Sequence, residues 1–371
     1  YLEAQGVHIQ FAHRTFKWSN EGKGVAAVHC IILGLGLQPP APATAPCRIW
    51  DYSADIKGDG VEIQAARINP YLVDAPTVLI EKRRKPLSGE TLELTRGSSP
   101  VDGGNLLLNQ AEADVMRASD PIAARYIRPY LMGDEFLNNT PRYCLWLVDA
   151  TSADKAQSPE LKQRLAAVRQ MREASPKAAT QKLAATPHLF GEIRQPSSAY
   201  YLAIPKVSSE RRAFIPIGFL SRDIICGDKI FFADDATLLH FGILSSTMHN
   251  AWMRTVAGRL KSDYSYSNTI VYNDDPGPQN ASDKHRAAME AAAQAVLDAR
   301  DLEFARCAKA GQHCSLALLY NPDTMPAELV QAHAALDRAV DAAYAYKGSK
   351  DDAARVAFLF ARYSELAAPL D

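Results

Sequence analysis

The opening of the chain constrains its fold most. Phe11-Ala12-His13-Arg14-Thr15-Phe16-Lys17-Trp18 and Val25-Ala26-Ala27-Val28-His29-Cys30-Ile31-Ile32-Leu33-Gly34 are two β-rich runs around Ser19-Asn20-Glu21-Gly22-Lys23-Gly24. Such runs on either side of a glycine-containing turn predict an antiparallel hairpin. Side chains alternate along a strand, which puts Arg14, Phe16 and Trp18 on one side. Two large aromatics and a cation beside a loop tip suit a stacked base and a phosphate. An edge hairpin whose aromatics only cover a core has the same composition.

A chain of 371 residues with 47% hydrophobic and 22% charged side chains has the make-up of a globular protein of two or three domains. Its net charge of -1 gives no general attraction to a polyanion. Positive charge is nevertheless concentrated locally, in Lys82-Arg83-Arg84-Lys85 and Arg211-Arg212. The six cysteines include no Cys-x-x-Cys pair, and Cys307, His313 and Cys314 lack zinc-finger spacing. They read as small buried thiols of a reducing cytoplasm, with no metal expected. No apolar run approaches the roughly 20 residues of a membrane span, so no membrane partner is expected.

Gln38-Pro39-Pro40-Ala41-Pro42-Ala43-Thr44-Ala45-Pro46 marks an exit from the first sheet, because proline continues neither a central strand nor a helix. Residues 143–148, 200–204, 214–220 and 238–244 are β-like. Ser158-Pro159-Glu160 opens a helix with a cap and a proline at its first position. A second helix follows Ser246-Thr247, with Met248, Trp252, Val256 and Leu260 at helical spacing. Beyond Asn273-Asp274-Asp275-Pro276-Gly277 three alanine-rich helices are predicted, over 285–305, 325–346 and 351–366.

The segment FAHRTFKWSNEGKGVAAVHCIILG resembles the last strands of the catalytic domain of N6-adenine DNA methyltransferases, and most closely the Mme-like, type IIL branch of single-chain restriction-and-modification enzymes. The likeness continues in the family's order through INPYLVDAPTVLIEKRRKPL, PVDGGNLLLN, RYCLWLVDA, IPKVSSERRAFIPIGFL, HFGILSSTMHNAWMRTVAGRLKSDYSYS and IVYN. It implies an α+β chain. Residues 1–65 would be the C-terminal strands of a methyltransferase sheet, 66–273 a mixed α/β target-recognition domain and 274–371 a small helical domain. The implied partner is double-stranded DNA, and the implied cofactor of the full-length enzyme is S-adenosylmethionine.

The family's catalytic loop reads Asn/Asp-Pro-Pro-aromatic, and neither form occurs here. Asn69-Pro70-Tyr71 lacks the second proline and follows the hairpin, and Gly34-Leu35-Gly36 is followed by prolines instead of a helix. The chain is therefore expected to be a C-terminal portion that lacks the methyl-donor site and does not methylate alone. A non-catalytic specificity subunit and a decayed remnant are the alternatives. Half a catalytic sheet argues against the first, and Asp274-Asp275 in place of the family's aromatic, proline-rich continuation favours the second.

The resemblance assigns stacking on a flipped adenine to Phe16 or Trp18. It assigns base readout to the GRLKSDYSYS segment, where Lys261, Asp263 and Ser265 would share one side of an extended strand. Lysine donates to guanine O6 and N7, and aspartate accepts from cytosine N4, so Lys261 and Asp263 together would read one G·C pair. Relatives commonly carry a basic residue where this chain has Ser265. Arg14, Arg83, Arg84, Arg211, Arg212 and Arg259 are the candidate phosphate contacts. Tyr264 and Tyr266 are expected to pack inward. His240, placed after an apolar strand, and His249 lack partners at ligand spacing and read as core histidines.

Overall fold

The structure is a computed structural model and describes residues 2–18, 28–42, 44–52, 55–88 and 91–367. The turn expected over 19–24, and residues 25–27, lie outside the described residues.

The two opening runs form β1 (His8–Trp18) and β2 (Val28–Gly36), paired antiparallel as expected. β3 (Cys47–Asp51) returns parallel to β1, and β4 (Val61–Ala65) closes the sheet in the order β2-β1-β3-β4. One face covers a small core of Ala12, Cys47, Ile49, Ala65 and Ile68. The close pairing of Phe11 with Gly34 needs glycine, since a Cβ there would sit 2.1 Å from the Phe11 ring. Among the described residues no helix follows β2 until Gln110, in keeping with the proline-rich exit.

The central sheet begins at β5 (Thr95–Arg96), after which the chain leaves to build a second lobe. That lobe contains β6 (Leu107–Leu108), β7 (Ile127–Leu131) and β8 (Tyr143–Leu145), so the β-like run at 143 is shorter than expected. The helix Pro159–Glu173 packs on this lobe, capped by Ser158 Oγ accepting from Leu161 N at 3.0 Å. On its last turn Arg172 is fully buried, and its guanidinium donates to five carbonyls, those of Pro100, Val101, Leu183, Thr186 and Leu189. All five N–H donors of an arginine are thereby used, which fixes the loop over 183–191 through carbonyls alone.

The chain then returns as β9 (Tyr200–Pro205), β10 (Val207–Ser208), β11 (Gly218–Ser221), β12 (Ile225–Cys226) and β13 (Ile230–Asp234). The central sheet runs β11-β9-β13-β5, while β12 joins the second lobe parallel to β7. The run 238–244 is a helix, Leu238–Leu244, and not the expected strand. Short apolar runs do not separate the two periods, and Thr237 caps this one, its amide bonding to His240 Nδ1 at 3.1 Å. His240 thus sits in a helical first turn instead of after a strand. The helix Thr247–Val256 follows its Ser246 cap as expected but ends before Leu260.

A last strand pair, β14 (Gly258–Leu260) and β15 (Asp263–Ser265), joins β10 in the order β10-β15-β14. The three alanine-rich helices are present as Asp283–Lys309, Ala327–Ala343 and Asp352–Ala367. They do not enclose a core of their own. Met289, Val296, Leu336, Leu359 and Phe360 belong to one continuous apolar cluster with Leu202, Ile204, Phe241 and Trp252 of the central layer. The helices are a layer on the central sheet. All six cysteines are free thiols, and no helix among the described residues is long and apolar enough to cross a membrane.

Candidate nucleic-acid interface

The segment expected to read bases is a tight hairpin. Leu260 pairs with Asp263, Arg259 with Tyr264 and Gly258 with Ser265, so Lys261 and Ser262 form a two-residue tip. Lys261 adopts a left-handed backbone, with φ 58°. It therefore does not share a strand face with Asp263 and Ser265. Strand alternation assumes an extended chain, and the turn removes Lys261 from it. Asp263 and Ser265 do share a face, half-exposed, while Tyr264 and Tyr266 turn inward and are 7% and 4% exposed.

Two devices hold this hairpin. The Arg259 guanidinium lies 3.8 Å from the Tyr264 ring centre and donates to Ser262 O at 2.9 Å, so it occupies the face opposite Asp263. Tyr266 OH hydrogen-bonds His249 Nε2 at 2.9 Å, and His249 Nδ1 is in turn bonded to Asp275. His249 is the satisfied core histidine expected. Its partner Asp275 lies 26 residues away, beyond the reach of any spacing rule.

β10 lies against β15, with Val207 opposite Ser265 and Ser208 opposite Tyr264. This register brings the turn 209–212 beside Asp263. Arg211 pairs with Asp323, at 2.6 Å, and not with its neighbour Glu210. Arg212 is half-buried; desolvation pulls its pKa down and the Asp263 carboxylate opposes that. The loop is tied to the helix Thr247–Val256 by Arg254 Nη1 donating to Ala213 O at 2.6 Å, and to the C-terminal layer by Phe214 stacked on His333 with ring centres 4.0 Å apart.

Arg83 and Arg14, two further expected phosphate contacts, also have internal partners. Arg83 donates to Asp274 at 2.9 Å, and Asn273 Nδ2 donates to Arg83 O at 2.8 Å. Burial raises the pKa of Asp274 and the Arg83 guanidinium works against it. The pair Asp274-Asp275 therefore serves as two pins, one to Arg83 and one to His249. Arg84 is exposed and has no ion pair among the described residues.

Arg14 bonds Asp51 at 2.5 Å and donates twice to Leu72 O. It does not share a side with Phe16 and Trp18, because the β1–β2 register slips between His13 and Phe16. A bulge of this kind reverses the alternation beyond it. Phe16 and Trp18, with ring centres 6.2 Å apart, instead join the face of His13, Trp50 and Tyr52. Trp18 is 52% exposed at the end of that aromatic row, and Phe16 is half-buried.

Asn69, the residue resembling the start of a catalytic loop, is fully buried and accepts from Tyr71 N and Val73 N to shape a turn. Gly34-Leu35-Gly36 ends a strand, and among the described residues the next helix begins only at Gln110. Among the described residues no His, Cys, Asp or Glu group is arranged to hold a metal ion.

Comparison with known proteins agrees with this architecture. Residues 74–279 match the target recognition domain of MmeI, 281–371 its C-terminal domain and 1–46 its DNA-methyltransferase domain. DNA methyltransferase A of Bacillus subtilis (strain 168) is 35% identical over 361 residues, which is 97% of this chain and 39% of that protein. A solved structure of the type IIL restriction-modification enzyme MmeI in complex with DNA superposes with a TM-score of 0.86 at 43% identity, covering 99% of this chain and 47% of that one. The chain thus spans less than half the length of either relative.

Proposed function

This chain belongs to the MmeI family, and we propose that it reads the DNA target for an enzyme that methylates adenine at N6. S-adenosylmethionine is then held by methyltransferase residues other than those present here, and this chain alone is inactive. The flipped adenine stacks on Phe16 or Trp18 at the open end of the aromatic row. Lys261 at the hairpin tip and Asp263 beside it read a G·C pair from the major groove, next to Ser265. Arg84, Arg211, Arg212 and Arg259 are the phosphate contacts, while Arg14 and Arg83 are assigned to the ion pairs that hold their segments. We divide the chain near residues 65 and 273, as the sequence suggests.

The observation that supports this reading best is the β10-β15-β14 sheet. It sets a cationic turn beside a two-residue tip whose reading residues face away from their own core. The test is an exchange of character, Lys261→Glu with Asp263→Arg, in the full-length enzyme. Glutamate accepts from cytosine N4 and arginine grips guanine O6 and N7, so the double variant is expected to methylate sites with C·G in place of G·C at one position. Each single variant should do worse than the double. A double variant that keeps the parent's site at lower activity would show that the pair does not read bases.

A further inference from the structure

A second cationic surface, which no run of basic residues announces, lies at one end of the central sheet. Arg96 pairs across from Phe231, and the Lys206 ammonium lies 4.6 Å from the centre of the same ring. Glu192 is bonded by both Arg96 and Arg194, the latter at 2.5 Å, through a single carboxylate oxygen. The backbone explains the convergence. Ser99 and Glu192 exchange hydrogen bonds, Arg194 N donates to Ser98 Oγ at 2.9 Å, and Lys206 N donates to Lys229 O at 3.0 Å.

One carboxylate is thus shared by two guanidiniums. The side chains of Arg96 and Arg194 remain 40% and 35% exposed, and each makes no other side-chain hydrogen bond among the described residues. The remaining N–H groups of both guanidiniums have no hydrogen-bond partner among the described residues. The Lys206 ammonium is disfavoured first by burial and then by Arg96, with Lys229 and Arg194 adding to it and Asp228 alone opposing them. Like charges held this close store repulsion that an anion relieves.

The surface is also continuous with the hairpin. Lys206 O accepts from Tyr266 N at 2.8 Å, and the next residue, Val207, is the one paired with Ser265.

We propose that Arg96 and Arg194, bridged by Glu192 and flanked by Lys206, form a phosphate-binding site that grips the DNA backbone beside the reading hairpin. The inference rests on the DNA-recognition role proposed above. On DNA binding the guanidiniums keep Glu192 as a common hinge and turn their free N–H edges to phosphate oxygens, a geometry to which arginine is suited. Such contacts fix position and carry no sequence information.

The experiment is a salt titration of this chain against a labelled duplex of arbitrary sequence. Removing one phosphate-binding cation lowers the magnitude of the slope of log K against log salt by about 0.9. The Arg96→Ala/Arg194→Ala variant is therefore expected to lose nearly two units of slope and to bind all duplexes more weakly by a similar factor. Glu192→Gln, which removes the carboxylate between them, should bind several-fold more tightly at low salt. That variant keeps the Ser99 backbone bridge and tests the site even if the double alanine variant fails to fold. Unchanged slope in a folded double variant, or unchanged or weaker binding by Glu192→Gln, overturns the inference. If the parent chain itself binds no duplex at low salt, it is the recognition role that fails.

Discussion

The first sheet and the central layer use similar side chains to very different ends. In β2, Ile31 and Leu35 are each 52% exposed, and the sheet's buried core is limited to five small or medium residues. In the central layer Trp252 is fully buried, donates to Val271 O at 2.9 Å and packs on Phe360 and Tyr363. β2 nonetheless carries Ile31, Ile32 and Leu33 in succession, the kind of run found in a core strand. Stabilisation follows the area removed from water, not the hydropathy of the residue, so the two regions should respond differently to the same kind of change.

The largest expected effect is at the joint between the central layer and the C-terminal helices. Trp252→Ala should cost about 3–5 kcal/mol, through reduced burial, a residual cavity and an orphaned Val271 carbonyl. Denaturant unfolding followed by circular dichroism measures it. A loss below about 1 kcal/mol would mean that the two layers do not share a core.

An intermediate effect comes from acid. His333 is buried with its Nε2 bonded to Tyr320 OH at 2.8 Å, and desolvation, helped by the Arg300 charge, lowers its pKa to about 3. A folded-state pKa below the unfolded value means that the unfolded chain binds more protons as the pH falls below about 6.5. Stability is therefore lost on acidification through the window from there towards pH 3. Lowering the pH from 6 to 5 should cost about 1 kcal/mol from this group. His333→Gln should lack that slope, and an identical slope in the variant would assign it elsewhere.

The smallest effect is expected in β2. Leu35→Ala should change the unfolding free energy by less than about 0.5 kcal/mol, because half of the side chain already faces water. A loss comparable to that of Trp252→Ala would erase the contrast between the regions.

What the sequence made legible was local. Ser158-Pro159 and Ser246-Thr247 marked their helices because caps act within a turn, and the first hairpin followed from its residue types. What it concealed depends on distance or on a single residue's offset. The slip between His13 and Phe16 moves Arg14 to the other face, and nothing in the alternation of residue types signals an extra residue. The left-handed Lys261 turned an expected strand into a tip, although the position lacks the glycine or asparagine that usually announces such a backbone. Arg83 and Asp274 are 191 residues apart, and the five carbonyls around Arg172 are defined only once the loops are in place. The Arg96–Glu192–Arg194 cluster was invisible for the same reason.

The inward and outward alternation of β15 has an evolutionary consequence. Tyr264 and Tyr266 carry the anchoring, while Lys261, Asp263 and Ser265 carry little of it. Substitutions at the outward positions leave the anchored scaffold nearly neutral in stability. On the base readout proposed above, a lineage can therefore sample new target sequences one side chain at a time without crossing a valley of misfolded intermediates. Under that proposal, diversity of target accumulates at these few codons much faster than at the tyrosines between and beside them.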